Sequence, residues 1–312
     1  MPSLSNQIKA KAKALGFCLV GIAPAEPLQS EADQLAEWLA RGYHATMHWM
    51  ERHREKRVDP AKLVPGAQSI IVVAMNYKTD YEPVDDPQVG KISRYACGDD
   101  YHEVLRPRLK ALLHFIQTLV PAAEGRVFVD TAPMMDKVWA VRAGIGWQGK
   151  HTNVIHREWG SWFFLGEVVV NIELEYDTPI LDYCGTCTRC LDACPTGAIV
   201  APYQLNAERC ISYQTIEHRG DLRADLVPDF QNWIFGCDIC QEVCPWNQKF
   251  APSTDEPAFQ PRPENENRPL KEWMGLTEDD FRKRFRKSAV KRTKFQGFMR
   301  NVAAVADQAK GV

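Results

Sequence analysis

The chain has 312 residues, 45% of them hydrophobic and 25% charged, with 38 Lys and Arg against 40 Asp and Glu. This balance excludes a disordered chain, a collagen-like fibre and a small disulfide scaffold, and a formal charge of −2 excludes a uniformly basic nucleic-acid coat. No apolar run reaches the roughly 18 residues of a membrane span. The start, MPSLSNQIKAKAKALGF, lacks a signal-peptide core, so a cytoplasmic protein with no membrane partner is expected.

Residues 1–178 read as a mixed α/β (α+β) domain. Ser5–Leu15 has helical character and stops at Gly16, with a strand expected over Phe17–Ile22. Glu31–Arg41 places Leu35, Trp38 and Leu39 at helical spacing before Gly42. Ser69–Met75 is an Ile/Val-rich buried strand, and Lys78–Val89, with four acids and two prolines, a surface loop. Tyr101–Val120 is the longest helical pattern, with Leu105, Leu109, Leu112, Leu113 and Ile116 on one face. A short strand, Val127–Val129, brings Asp130 to its end. Met134–Ala143 is expected as a helix opened by Pro133. GIGWQGKHTN (144–153) is a tight glycine-rich loop suited to close backbone approach by a large ligand. A strand follows over Phe163–Ile172.

Residues 179–250 hold eight of the ten cysteines. Cys184, Cys187, Cys190 and Cys194-Pro195 have the spacing C-x₂-C-x₂-C-x₃-C-P; Cys237, Cys240 and Cys244-Pro245 follow, with Cys210 upstream. In two-cluster ferredoxins three closely spaced thiolates hold one cubane and the fourth, before a proline, serves the other. Crossing the motifs assigns Cys184, Cys187, Cys190 and Cys244 to one [4Fe–4S] cluster, and Cys194, Cys210, Cys237 and Cys240 to a second. Zinc is the competing reading, but its sites show two separate C-x₂₋₄-C pairs. Residues 251–312 begin as a proline-rich linker or extended segment. They end in a basic helical tail with nine cations and no acid between Phe281 and Arg300. Neither G-x-G-x-x-G after a strand nor a phosphate-binding G-x-x-x-x-G-K-[ST] occurs.

VDTAPMMDKVWAVRAGIGWQGKHTNVI (129–155), KRVDPAKLVPGAQSIIVVAMNY (56–77), ISRYACGDDYH (92–102), CISYQTIEHRG (210–220) and FGCDICQEVCPWN (235–247) resemble the epoxyqueuosine reductase family. The resemblance implies an enzyme related to reductive dehalogenases, with cobalamin between the first domain and the cluster module. It would reduce the epoxide of epoxyqueuosine at the tRNA wobble position, the oxygen leaving finally as water. The cobalamin pattern D-x-H-x-x-G is absent, since Asp100-Tyr-His102-Glu-Val ends at Leu105, as expected of a family without a histidine below cobalt.

By the same resemblance Asp130 is the proton donor, whereas on local grounds it reads as a helix cap before Pro133. Arg57, Cys97, His151 and Asn153 are expected to line the corrin, with Ser212, Tyr213 and Gln214 anchored beside it by Cys210. Cys97 has the alternative of a small buried apolar residue. His218, Arg219, Arg282, Lys283, Arg284, Arg286 and Lys287 are candidate tRNA contacts, with a solvated amphipathic helix as the alternative for the tail. The tail resembles the first helix of the HEAT-type repeats that many members carry. A monomer fed by an external low-potential donor is expected. The rival functions are a dehalogenase-like enzyme on a small molecule, a ferredoxin-type carrier and a zinc-stabilised RNA-binding module.

Overall fold

A computed structural model describes residues 2–309. Met1 and residues 310–312, at the outer ends of the first and third expected sections, lie outside the described residues. The first helix, Leu4–Ala14, is capped by the Ser3 side chain, which accepts from the Asn6 N–H, and ends where Gly16 turns at φ +91°. The long helix Tyr101–Leu119 is capped by Asp100 and buries Leu105, Leu109, Leu112 and Ile116. Leu113, expected on that face, is only partly buried.

Four strands form the central sheet in the order Leu19–Pro24, Ser69–Asn76, Phe163–Val170, Gly125–Phe128. Every neighbouring pair is antiparallel, so the domain is α+β rather than a parallel α/β unit. All eight residues of Ser69–Asn76 are buried, because the helices Leu4–Ala14 and Tyr101–Leu119 cover one face and the helix Asp136–Arg142, with Leu28, Leu63 and Val64, covers the other. Each such Ile or Val contributes about 1.5–3 kcal/mol relative to exposure. In the strand beside it, Glu167 is opposite Val72 on one side and Phe128 on the other. Among the described residues no helix is long and apolar enough to cross a membrane.

Boundaries at 178 and 250 do not separate packing units. A second core joins Ile92 and Ala96 to Ile211, Trp233 and Phe235, and to Trp273, Phe281, Phe285, Phe298 and Val302. The tail phenylalanines at 281, 285 and 298 are therefore interior groups, not stacking platforms for bases. The proline-rich stretch is an extended strap tied to the sheet. Lys78 Nζ donates to the Ala251 carbonyl at 2.7 Å, Asn76 Nδ2 to that of Pro252 at 2.8 Å, and Phe259 packs on Phe164. Gly98 is required beneath it, since a Cβ there would lie 2.6 Å from the Ala258 carbonyl oxygen.

Candidate redox site

The cysteine module has little regular structure of its own: Arg189–Asp192 and Ile239–Glu242 are helices of four residues each. Its thiols nevertheless fall into two electrostatic groups. Cys190 is pushed up to about 11 by burial and then by Cys184, Cys244 and Cys187. Cys237 is raised by burial and by Cys240 and Cys210, and Cys240 by burial and by Cys210 and Cys194. Cys190 also acts on Cys240, so the two groups adjoin.

All ten cysteines are free. One tetrahedral zinc ion draws its sulfurs to roughly 3.8 Å from one another. Among the described residues, no three cysteine sulfurs lie mutually within 4.8 Å. Fixed donors hold the loops ready: the Trp147 indole N–H reaches Cys184 Sγ at 3.5 Å, and the Ala198 N–H donates to Cys194 Sγ at 3.2 Å. Lys150 Nζ donates to the carbonyls of Gly185 and Cys187 at 2.6 and 2.9 Å.

Beside the second set, Lys137, Asp130, Asn153 and His151 come together as the candidate cleft. Lys137 is exposed yet crowded enough that desolvation lowers its pKa, and Cys240, Asp130, Asp136 and Cys210 all act on it. It donates to Asn153 Oδ1 at 2.7 Å. Asp130 stands at the cleft with φ +55°, a left-handed conformation unusual for a residue with a Cβ, and its side chain is 66% exposed. The Tyr101 hydroxyl donates to its Oδ2 at 2.6 Å. His102 Nε2 is 3.9 Å from the same oxygen, while His102 Nδ1 is 2.7 Å from Asp100 Oδ1. Tyr101 is held flat against Phe164, ring centroids 4.4 Å apart.

The cap reading of Asp130 is overturned. The following helix is Asp136–Arg142, flanked by Met135 with no side-chain cap, so neither Asp130 nor Pro133 opens it. The glycine-rich loop is also corrected. It contains a small hairpin, Trp147–Gln148 with Val154–Ile155, and a Cβ on Gly146 would lie 2.2 Å from the Ile155 carbonyl oxygen. Hairpin packing, not a ligand, requires that glycine.

Arg57 is buried, with its guanidinium over the Trp49 ring and donating to the Trp49 carbonyl; Asp136 acts on it. His151 is buried and pushed down to about 4 by desolvation and then by Lys137. Gln214 is buried and donates to the Glu208 carbonyl, and the Tyr213 hydroxyl is bound by Thr46. Ser212 is half-buried on the same short helix, Ile211–Ile216. Cys97 lies in the second core near the Ile92 and Ser93 carbonyls, the packing alternative.

Among the basic candidates, Arg219 and Arg284 donate to backbone carbonyls, and Arg282 pairs with Glu278. Lys283, Arg286 and Lys287 are exposed, and His218 contacts Asp221 and Tyr213. Sequence reasoning did not assign Lys137, Lys150 or Asp136 a role, and left Tyr101 as helix support. The one visible signal was a lone carboxylate, Glu167, in the apolar run WFFLGEVVV.

Two thiol sets in series, the inner one facing a cleft that presents a carboxylate, define an iron–sulfur redox protein with an active-site cleft. The description "4Fe-4S double cluster binding domain" matches residues 183–247, and "Epoxyqueuosine reductase QueG, DUF1730" matches 57–131. An epoxyqueuosine reductase of Leadbetterella byssophila is 48% identical, covering 98% of this chain and 100% of that protein. One of Cellulophaga algicola is 46% identical, covering 96% of each. A crystal structure of epoxyqueuosine reductase with an epoxyqueuosine-modified tRNA-Tyr stem loop superposes with a TM-score of 0.92 at 34% identity, over 98% of this chain and 82% of that one. A Bacillus subtilis epoxyqueuosine reductase, described with its catalytic aspartate loop swung out of the active site, gives 0.91 at 33% identity over the same shares. The chain belongs to the epoxyqueuosine reductase family.

Proposed function

We propose that this chain reduces the epoxide of epoxyqueuosine in tRNA to queuosine, with two [4Fe–4S] clusters and cobalamin as cofactors. The observation that carries the reading is the shared cleft: Lys137 feels both the inner cysteine set and Asp130. The cleft suits a large polar cofactor, because buried polar atoms around it, Arg57 Nε, His151 Nε2 and Gln214 Oε1, have no protein partner. Arg57, His151, Asn153, Ser212, Tyr213 and Gln214 would hold it. When bound, cobalamin supplies low-potential electrons that the clusters replenish one at a time.

Converting an epoxide to an alkene and water consumes two electrons and two protons. Asp130 delivers a proton to the oxygen as its bond to carbon breaks, and the Tyr101 hydroxyl then stabilises the carboxylate left behind. His102, between Asp100 and Asp130, is placed to return a proton. An external donor feeds the set of Cys184, Cys187, Cys190 and Cys244, because the other set neighbours Lys137. Residues 2–178 and 179–250 together form the cleft, and 251–309 brace it from the strap and tail. Exposed Lys283, Arg286 and Lys287 supply phosphate contacts for tRNA.

The test is single-turnover conversion of epoxyqueuosine-tRNA by Asp130→Ala and Asp130→Asn, with iron and cobalamin contents measured alongside. Both variants should keep their cofactors and lose ~10²–10⁴-fold in rate, the usual contribution of a proton donor. Near-normal turnover by Asp130→Asn would remove the acid role.

A further inference from the structure

Beneath the Asp130 loop lies a second pair of carboxyl groups. Glu167 is fully buried in the middle of the sheet, and neither of its carboxylate oxygens has a hydrogen-bond donor from the rest of the protein. Asp136 Oδ1 is buried and equally without a donor. The two side chains meet each other, and the Asp130 backbone N–H is directed at the Asp136 carboxylate. Two adjacent carboxylates with no cation between them cannot both stay ionised away from water.

We propose that Glu167 and Asp136 share one proton, and that this pair is the latch that holds Asp130 in its left-handed, cleft-facing conformation. Glu167 is the acid and Asp136 the anion. Glu167 is flanked in the sheet by Phe128 and Val72 and is acted on only by carboxylates, whereas the Arg57 guanidinium, the Lys137 ammonium and the Asp130 N–H act together with Asp136. The remaining charged or titratable neighbours belong to the loop above. Asp130 acts on both members, and Tyr101 and His102 contact Asp130 itself. Burial and then Asp136 and Asp130 raise the Glu167 carboxyl, whereas Asp136, raised by burial and Asp130, is lowered by its hydrogen bond with Glu167.

With the proton in place, Glu167 O–H donates to Asp136, and Asp136 is aimed to accept from the Asp130 N–H. That bond offsets part of the cost of a left-handed conformation at a non-glycine residue. Glu167 and Asp136 are positioning residues, acting on the reaction only through Asp130. The functional consequence rests on the acid role assigned to Asp130 above; the latch itself is measured independently of turnover.

Three measurements on cluster-loaded protein test it. Infrared difference spectra of wild type against Glu167→Gln at neutral pH should show one protonated carboxylic acid band that the variant lacks. No such band in wild type, or the same band in the variant, overturns the shared proton. Hydrogen exchange over residues 129–135 should be faster in Glu167→Ala than in wild type, and restored in Glu167→Gln, whose amide still donates to Asp136. Equal exchange in all three, with unchanged melting temperatures, overturns the latch.

Single-turnover rates should follow the same order. Glu167→Ala should fall by about 10²-fold, the usual cost of a misplaced catalytic group, with Glu167→Gln recovering most of it. If Asp130→Asn turns over normally, the acid assignment fails while the infrared band and exchange pattern still report on the latch.

Discussion

The four-stranded sheet and the cysteine module sit side by side but are held together by different physics. Ser69–Asn76 is buried at every position and pairs on both edges, so its stability is apolar area removed from water. The module has four-residue helices and a small apolar cluster of its own, centred on Trp147, Ile155 and Cys244. Burial and neighbouring cysteines keep its thiols protonated, and only a bound cluster takes them as thiolates, so metal binding supplies folding free energy there.

The largest effect should come from breaking the metal side. Cys190→Ala and Cys194→Ala should each lose about half of the ~eight iron atoms that two cubanes contain, from different clusters, and abolish turnover. Limited proteolysis should then cut within 179–250 while the sheet's amides stay protected. Iron loss to the same cluster in both variants would break the crossed assignment.

The opposite lesion acts on the region that needs no metal. Ile71→Ala should cost about 2–5 kcal/mol in denaturant unfolding, with iron content and visible spectrum unchanged. A loss of iron there would mean the two regions fold as one unit.

At the cleft, pH sharpens the contrast. Burial and Lys137 hold His151 neutral, pushed down to about 4. Its depressed pKa means the unfolded chain takes up a proton that the native state refuses. Stability should therefore be full above about 6.5 and decline as pH falls toward the native value, by on the order of 2–3 kcal/mol across the whole range. Denaturant midpoints of wild type and His151→Gln at several pH values would show it, the variant being the flatter.

Tyr101→Phe removes the hydroxyl bound to Asp130 and should lower turnover by about tenfold, as loss of one hydrogen bond to a charged group does. Cofactor content should not change. The smallest effect belongs to the tail. Reversing Lys283, Arg286 and Lys287 should weaken tRNA binding and reduce its salt slope by about 0.7–0.9 for each phosphate no longer neutralised. Arg284→Ala should instead cost stability, because its guanidinium holds the Glu264 carbonyl and Asn265.

The expected ligand sets came from cysteine spacing, because cluster loops are local: three thiols within seven residues must approach one another whatever surrounds them. Helix ends and the central strand were legible for the same reason, each being written in a capping residue, a glycine or a continuous apolar run. The antiparallel order of the sheet was not, since pairing joins segments such as Ser69–Asn76 and Phe163–Val170 that are far apart in the chain. Nor was the second core, which gathers residues from 92 to 309 and turns the tail phenylalanines inward. Asp130 stood out only by resemblance; local reading made it a cap, and only the observed start of the next helix at Asp136 removed that role. Glu167 was visible as an oddity in an apolar strand, but its meaning depends on a carboxyl 31 positions earlier, brought to it by register and by a helix crossing the sheet. Short-range chemistry is encoded in spacing, whereas a shared proton requires two distant groups to be buried against each other, and burial is decided only when the whole chain has packed.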